Sequence, residues 1–356
     1  MTVSVSALES SDVSAECAVL ISQQTGEVIF QKNAYEHHSM ASTTKIMTSL
    51  LAAQSGKLHD EITVSKEMIQ VEGTSMGLLP GDSVSLYELI YGMLLPSGND
   101  AANVTAYYLG GNVENFAKKM NAKAKEIGMD NTNFVTPSGL DNKNHYSTAY
   151  DMALLGRYAV NDPVFRSVCS SKKVTLSYGN PPYKRTLYNH NRLLESYKYA
   201  LGIKTGFTKK SGRCLVSYAE KDGTGLVAVT LNAPNDWNDH KLMLDYGFSR
   251  LKRYVFKPAI PQTIDVVGGN VEKCKLCCMQ FEYDSSEQRN PVQKLVVDKF
   301  AYAPIKKGDR LGEVKFYLDG KNIGSADIVA AEDIDVPEQK QEEKSFFQRI
   351  KERFLK

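Results

Sequence analysis

Residues 42–56 read STTKIMTSLLAAQSG, and within them Ile46, Met47, Leu50 and Leu51 recur at helical intervals before Gly56 closes the run. The pattern predicts a buried helix beginning near Ser42. It also places the hydroxyl of Ser42 and the amine of Lys45 one turn apart on the same face. A serine beside a neutral amine is a nucleophile that carries its own base. The same Ser-x-x-Lys spacing recurs at Ser170 and Lys173 and at Ser249 and Lys252, so the spacing alone decides nothing. Only the first copy opens a strongly apolar helix. There, desolvation lowers a lysine pKa and a helix N-terminus favours a developing oxyanion.

Upstream, CAVLISQQTGEVIFQ (17–31) is a pair of apolar runs around Thr25-Gly26, the pattern of a hairpin. Downstream, LYELIYGMLL (86–95) is a second apolar helix stopped by Pro96, and AANVTAYYLGG continues as another after Asn99. Ser97-Gly98-Asn99 therefore falls in a short interhelical loop. Asn112 is placed to cap a further amphipathic helix carrying Phe116, Met120 and Ile127 on one face, and the middle of this region reads as helical. Near residue 214 the period changes to two. Cys214, Val216 and Tyr218 alternate, Asp222-Gly223 supplies a turn, and LVAVTLNA returns as a strand. Lys204-Thr205-Gly206 lies on the strand before this hairpin.

Strands at both ends with helices between them predict an α+β domain, an antiparallel sheet flanked by helices, over 1–258. After Pro258 and Pro261 the helical period disappears. Short strands with a hairpin at Asp319-Gly320 predict a small β-sandwich-like domain over 259–335. Residues 336–356 read as a charged linker followed by a basic amphipathic helix, with Phe346, Phe347, Ile350 and Phe354 on one face. Such a face can pack on protein, but its basic surround suits an anionic membrane surface, which is the expected partner.

Order gives the three short motifs their meaning. Ser-x-x-Lys at Ser42, then Ser-Gly-Asn at 97–99, then Lys-Thr-Gly at 204–206, on helix, loop and strand respectively, is the penicillin-interacting signature. Together with GLLPGDSVSLYELIYGMLLPSGNDAA, TPSGLDNKNHYSTAYDMALL and GIKTGFTKKSGRCLVSYA, it makes the chain resemble serine-type D-alanyl-D-alanine carboxypeptidases, the low-molecular-mass penicillin-binding proteins. The resemblance extends over essentially the whole chain and implies a β-lactamase/transpeptidase-like catalytic domain.

That resemblance implies roles. Ser42 attacks the penultimate D-alanine carbonyl of peptidoglycan stem peptides, and Lys45, kept neutral by burial and by Lys204, takes its proton. Ser97 relays the proton to the departing D-alanine. Asn99 holds Lys45 and bonds the substrate amide. Lys204 and Thr205 bind the terminal carboxylate, and the N–H groups of Ser42 and Phe207 form the oxyanion hole beside Gly206. Phe207 stands where some relatives carry histidine, so a side-chain role there is absent. His145 is read as structural, because the motif set already contains a base.

Class A β-lactamases share the three motifs but deacylate with a glutamate between the second and third. Glu114, Glu126 and Glu195 are the glutamates of that interval, and none has the Glu-x-x-x-Asn context. β-Lactams are therefore expected to inhibit rather than be turned over rapidly. A non-catalytic cell-wall sensor is a competing reading, opposed by the intact motifs. A metal enzyme is another, opposed by the want of ligand spacing: Cys274, Cys277 and Cys278 cluster without a second pair. One disulfide stays open. No cofactor is implied.

Composition bounds the rest. Hydrophobic residues make up 42% of the 356 and charged residues 24%, with a formal net charge of +2, which is ordinary globular composition without a basic stripe for nucleic acid. No apolar run reaches the roughly 18–20 residues of a membrane span. Met1 leads straight into polar sequence with no signal-peptide pattern. An exported protein in mature form, peripheral on the outer face of the cytoplasmic membrane, is the expectation.

Overall fold

The structure, a computed structural model, describes residues 7–337. Two compact units divide the chain. The first runs to Tyr254 and includes Asp284–Gln288, and the second comprises Val255–Tyr283 and the residues from Arg289.

The first unit opens with the hairpin β1 (Cys17–Ser22) and β2 (Val28–Lys32), then a 3₁₀ turn (Ala41–Thr44) leading into α1 (Lys45–Ala53). β3 (Glu61–Thr63) and β4 (Ser83–Ser85) form a small ribbon. Next come α2 (Leu86–Leu94), α3 (Asn99–Gly110), α4 (Val113–Ile127), α5 (Ala149–Ala159) and α6 (Pro163–Cys169). The hairpin β5 (Lys173–Gly179) and β6 (Pro182–Tyr188) and the short α7 (Leu193–Ser196) precede β7 (Ala200–Thr208), β8 (Gly212–Lys221), β9 (Thr224–Leu231) and α8 (Asp236–Arg250). The five-stranded antiparallel sheet has the order β2-β1-β9-β8-β7.

Helices cover both sheet faces, which is why β1 is apolar at nearly every position. Val19 and Ile21 of β1 join Val216 and Val229 in the core shared with α1 and α5. The alternate residues Ala18 and Leu20 pack with Met243 and Leu244 of α8. Caps set the helix starts. Ser85 and Glu88 form a reciprocal capping box on α2, Asn112 caps α4, and Asp162 caps α6 with Pro163 in its first turn. The Asp222-Gly223 turn takes positive φ at both positions, as a tight two-residue hairpin requires.

Two features depart from the sequence reading. Ser42 sits in the 3₁₀ turn, and the α-helix begins only at Lys45. Ala41 has positive φ, and the Thr43 hydroxyl donates to the Met40 carbonyl at 2.5 Å, so the chain enters the helix through a tight bend. The β5–β6 hairpin falls between the last helix read from sequence and the strand at Lys204, where the sequence reading placed no strand. Val174, Leu176 and Tyr178 do alternate with exposed residues along β5, but β6 is exposed at five of its seven positions and offers no matching apolar run.

After β10 (Lys252–Phe256) come β11 (Thr263–Val267), β12 (Lys273–Cys278), β13 (Phe281–Ser285), which is divided between the units at Asp284, β14 (Val292–Val297), β15 (Phe300–Tyr302), β16 (Arg310–Leu318) and β17 (Lys321–Ala330). Six of them form a sheet of order β14-β16-β17-β12-β11-β15. Ile264, Cys274, Ile305, Ala330 and Ile334 form one core, and Phe281 stacks on Phe316 with ring centroids 4.1 Å apart. All six cysteines of the chain are free thiols. The expected amphipathic helix with Phe346, Phe347, Ile350 and Phe354 lies outside the described residues.

Candidate active site

A cleft of about 470 Å³ in the first unit is lined by Ser42, Ser97, Asn99, Thr205, Gly206 and Phe207, among others. The three motifs thus meet in space, from the 3₁₀ turn, the loop before α3, and β7, which is an edge strand of the sheet. Lys45 and Lys204 lie behind the cleft surface, each at most 1% exposed.

Lys45 Nζ lies 2.9 Å from Ser42 Oγ, 2.7 Å from Asn99 Oδ1 and 2.8 Å from the Ser138 carbonyl oxygen. Burial, followed by the charge of Lys204, pushes the Lys45 amine well below the ordinary lysine range, against an upward pull from Asp100. Burial alone brings Lys204 down to about 7. The other two Ser-x-x-Lys copies do not form such pairs. The hydroxyls of Ser170 and Ser249 donate to the nearby backbone carbonyls of Ser167 and Tyr246.

Close backbone approach holds the site. A Cβ on Gly206 would stand 3.0 Å from the Ser42 nitrogen, so glycine here lets the strand edge come this close to Ser42 without a crowded contact. A Cβ on Gly139 would stand 1.9 Å from the Ala41 carbonyl oxygen, and this contact sets Ser138 against Lys45. Ser97 is buried with φ of +65°, a constrained backbone beside the cleft. His145 is buried too. Its Nε2 pairs with Thr44 Oγ1 at 2.8 Å, while Nδ1 accepts the Val135 N–H at 2.9 Å. Burial pushes this imidazole down to about 4, so it is a neutral bridge bracing the turn that carries Ser42.

This arrangement belongs to a known lineage. Residues 2–235 match the family model described as D-alanyl-D-alanine carboxypeptidase. The chain belongs to the D-alanyl-D-alanine carboxypeptidase family of serine peptidases. Residues 257–336 match the C-terminal domain of penicillin-binding protein 5. The D-alanyl-D-alanine carboxypeptidase DacF of Bacillus subtilis is 34% identical over 90% of this chain and 86% of its own length. DacC of Escherichia coli is 33% identical over 96% and 88%. Among solved structures, penicillin-binding protein 5 from Haemophilus influenzae aligns with a TM-score of 0.67 at 28% identity, over 93% of this chain and 99% of that one. The Streptomyces K15 DD-transpeptidase aligns at 0.65 and 31%, over 69% and 100%. The activity is that of a D-alanyl-D-alanine carboxypeptidase in the penicillin-binding protein family, on an α+β catalytic fold followed by an all-β domain.

Some cleft residues were not anticipated from sequence. Arg213, opposite Phe207 in the β7–β8 register, donates through Nε and Nη2 to Asp236 Oδ1 at 3.0 and 2.7 Å and lies over the Trp237 ring at 5.5 Å. Its guanidinium remains partly exposed, and all three residues line the cleft. His190 and Arg192 line it as well. The GRC and NDW triplets that hold Arg213, Asp236 and Trp237 lie 23 residues apart in sequence, and only the fold of β8, β9 and α8 pairs them. None of the glutamates 114, 126 and 195 lines the cleft. Among the described residues no His, Cys, Asp or Glu group is arranged to hold a metal, and no helix is long and apolar enough to cross a membrane.

Proposed function

We propose that the chain removes the C-terminal D-alanine of peptidoglycan stem pentapeptides through an ester on Ser42, and that β-lactams inhibit it by forming the same kind of ester. The observation that carries this reading is the 2.9 Å pairing of Lys45 Nζ with Ser42 Oγ inside the cleft edged by β7. Ser42 Oγ attacks the penultimate carbonyl carbon while Lys45 takes its proton. The negative oxygen is received by the N–H groups of Ser42 and Phe207, which Gly206 lets approach each other. As the C–N bond breaks, the proton passes from Lys45 through Ser97 to the departing amine. Water then hydrolyses the ester. Asn99 orients Lys45 and accepts or donates at the substrate amide.

The terminal carboxylate rests on Thr205, with the charge of Lys204 behind it and Arg213 as a second donor. Asp236 and Trp237 hold the Arg213 fork in place, which suits a planar carboxylate. With no glutamate at the cleft, the penicilloyl ester leaves slowly. On this reading 1–258 is the penicillin-binding domain, 259–335 a supporting β-domain, and 336–356 a linker with a helix that attaches the enzyme to the outer face of the cytoplasmic membrane. Deleting 345–356 is expected to abolish liposome binding and spare hydrolysis of soluble peptides.

The test is intact-mass measurement after incubation with a fluorescent penicillin. A single stable adduct on the wild type and none on Ser42→Ala supports the reading. Rapid turnover of the penicillin, or no adduct on folded wild-type protein, overturns it.

A further inference from the structure

Asp100, the residue after the Ser-Gly-Asn motif, is 3% exposed, and among the described residues no lysine, arginine or histidine forms an ion pair with it. N–H and O–H donors surround it instead. Oδ2 accepts from Ser75 Oγ at 2.5 Å and from the N–H groups of Gly77 and Leu78 at 3.1 Å each. Oδ1 accepts from the N–H groups of Met76 and Ala101 at 2.9 Å each. A buried carboxylate so surrounded by one loop dictates that loop's path, because any other path strips it of partners.

That loop is a wall of the cleft. Gly73 and Thr74 line it. Thr74 Oγ1 donates to the Ser97 carbonyl at 2.6 Å, the Asn99 N–H donates to the Thr74 carbonyl at 2.7 Å, and Asn99 Nδ2 donates to the Glu72 carbonyl at 2.6 Å. The last contact fixes the Asn99 amide so that Oδ1 faces Lys45. The packing tolerates no side chain at Gly98, whose Cβ would lie 2.7 Å from Asp100 Oδ1 and 2.9 Å from the Met76 nitrogen. From the other side, Tyr178 and Arg185 of the β5–β6 hairpin donate to the carbonyls of Met76 and Gly77 at 3.0 and 2.6 Å.

We propose that Asp100 is a positioning residue for acylation: by pinning residues 75–78 to the start of α3, it sets Ser97 and Asn99 at the distances from Lys45 that proton transfer needs. It touches neither substrate nor Ser42. The inference rests on the assignment of Ser42, Lys45, Ser97 and Asn99 given above.

The test measures acylation by a fluorescent penicillin under single-turnover conditions, separating affinity for the initial complex from the rate constant of acylation, in the full chain. Asp100→Asn keeps the shape but turns an amide NH₂ towards N–H donors. In the folded protein it is expected to lower the acylation rate constant about 10- to 100-fold, with a smaller change in initial affinity. Ser75→Ala, on the exposed loop, removes one contact and is expected to lower it about threefold, within the usual worth of one such hydrogen bond. A merely structural Asp100 would lower the melting temperature and leave the rate constant of the folded molecules unchanged, and that result overturns the proposal. Should Asp100→Asn fail to fold, Ser75→Ala acylating at the wild-type rate overturns it equally. Absence of acylation in the wild type would instead strike the assignment of Ser42.

Discussion

The amine of Lys45 lies 2.9 Å from the hydroxyl of Ser42, and its other two partners decide what that contact does. Those partners, Asn99 Oδ1 and the Ser138 carbonyl, are acceptors without a proton to give. A neutral amine has two N–H bonds and one lone pair. With both N–H bonds committed to carbonyl oxygens, the lone pair points at Ser42, the one partner with a proton to lose. On the proposed mechanism this base is aimed before substrate arrives.

Replacing Lys45 by Met keeps an unbranched side chain one atom shorter and removes the amine. Acylation by a fluorescent penicillin is expected to fall by about 10²- to 10⁴-fold, the usual worth of positioned general base catalysis. Circular dichroism should show an intact fold. Undiminished acylation would mean that another group takes the Ser42 proton.

The two lysines also set the pH profile. Acylation is expected to fall on the acid side as Lys45 gains a proton, with that limb set well below the ordinary lysine range by burial and the nearby charge of Lys204. Lys204 in the free enzyme loses its charge near 7, so kcat/KM for a peptide ending in D-Ala-D-Ala is expected to decline above that pH. A bound carboxylate stabilises the ammonium, so the alkaline limb of kcat should lie higher than that of kcat/KM. Coincident limbs in the two profiles would remove Lys204 from substrate binding.

Arg213 gives a test of end recognition. Arg213→Gln is expected to raise KM for the free-acid peptide by about tenfold or more, the loss of one charge-assisted pair at a partly exposed site. The preference for a free over an amidated C-terminus should shrink in parallel. Asp236→Asn should act in the same direction through the guanidinium it orients. Unchanged KM in both variants would leave Thr205 and Lys204 as the anchor.

Gly139 and Gly56 both have positive φ, +88° and +72°, but only Gly139 faces a backbone atom within reach of a Cβ. Gly56→Ala is expected to cost about 1 kcal/mol, the conformational penalty alone. Gly139→Ala adds the overlap with Ala41 and should cost several kcal/mol, along with most acylation, because Ser138 and the turn bearing Ser42 move together. Urea unfolding of the two variants side by side reads the difference.

His240 predicts an acid weakness unrelated to catalysis. It is fully buried, with Nδ1 2.5 Å from Ser217 Oγ and Nε2 3.0 Å from Thr230 Oγ1. Burial lowers its pKa from 6.5 to about 3. Between these values the unfolded chain binds a proton that the folded one does not, so stability drops as pH falls through that window and is unaffected above it. Urea midpoints from about pH 7 to 4 should slope less in His240→Gln than in the wild type. His145, lowered to about 4 by burial, leaves a residual slope.

Much of the site was legible because each motif is local. Ser42 and Lys45 announce themselves by an apolar run, Ser97 and Asn99 by Pro96 and the helix that follows, and Lys204 to Phe207 by the alternation beyond them. The 3₁₀ entry at Ala41–Thr44 was not legible, since it depends on Gly139, which is remote in sequence. Of the β5–β6 hairpin, β5 carries an alternation of Val174, Leu176 and Tyr178, while β6 is mostly exposed and gave no partner run to complete it. Arg213 looked like any exposed arginine on a strand until Asp236 and Trp237 came beside it.

What the sequence alone determined is the chemistry available and the class of fold: a serine with a lysine one turn away, a second serine and an asparagine in a loop, and a Lys-Thr-Gly strand, on an antiparallel sheet covered by helices. Residue type and short-range period carry that much, because hydrophobic pattern and turn chemistry act over a few residues. Only the tertiary structure decided which Ser-x-x-Lys brings its amine to its hydroxyl, which carbonyls the Lys45 amine also meets, and how Asp100 and Arg213 attach to the site. Those outcomes depend on desolvation and on carbonyls and carboxylates contributed from distant segments, and the field at an amine is set by everything packed around it.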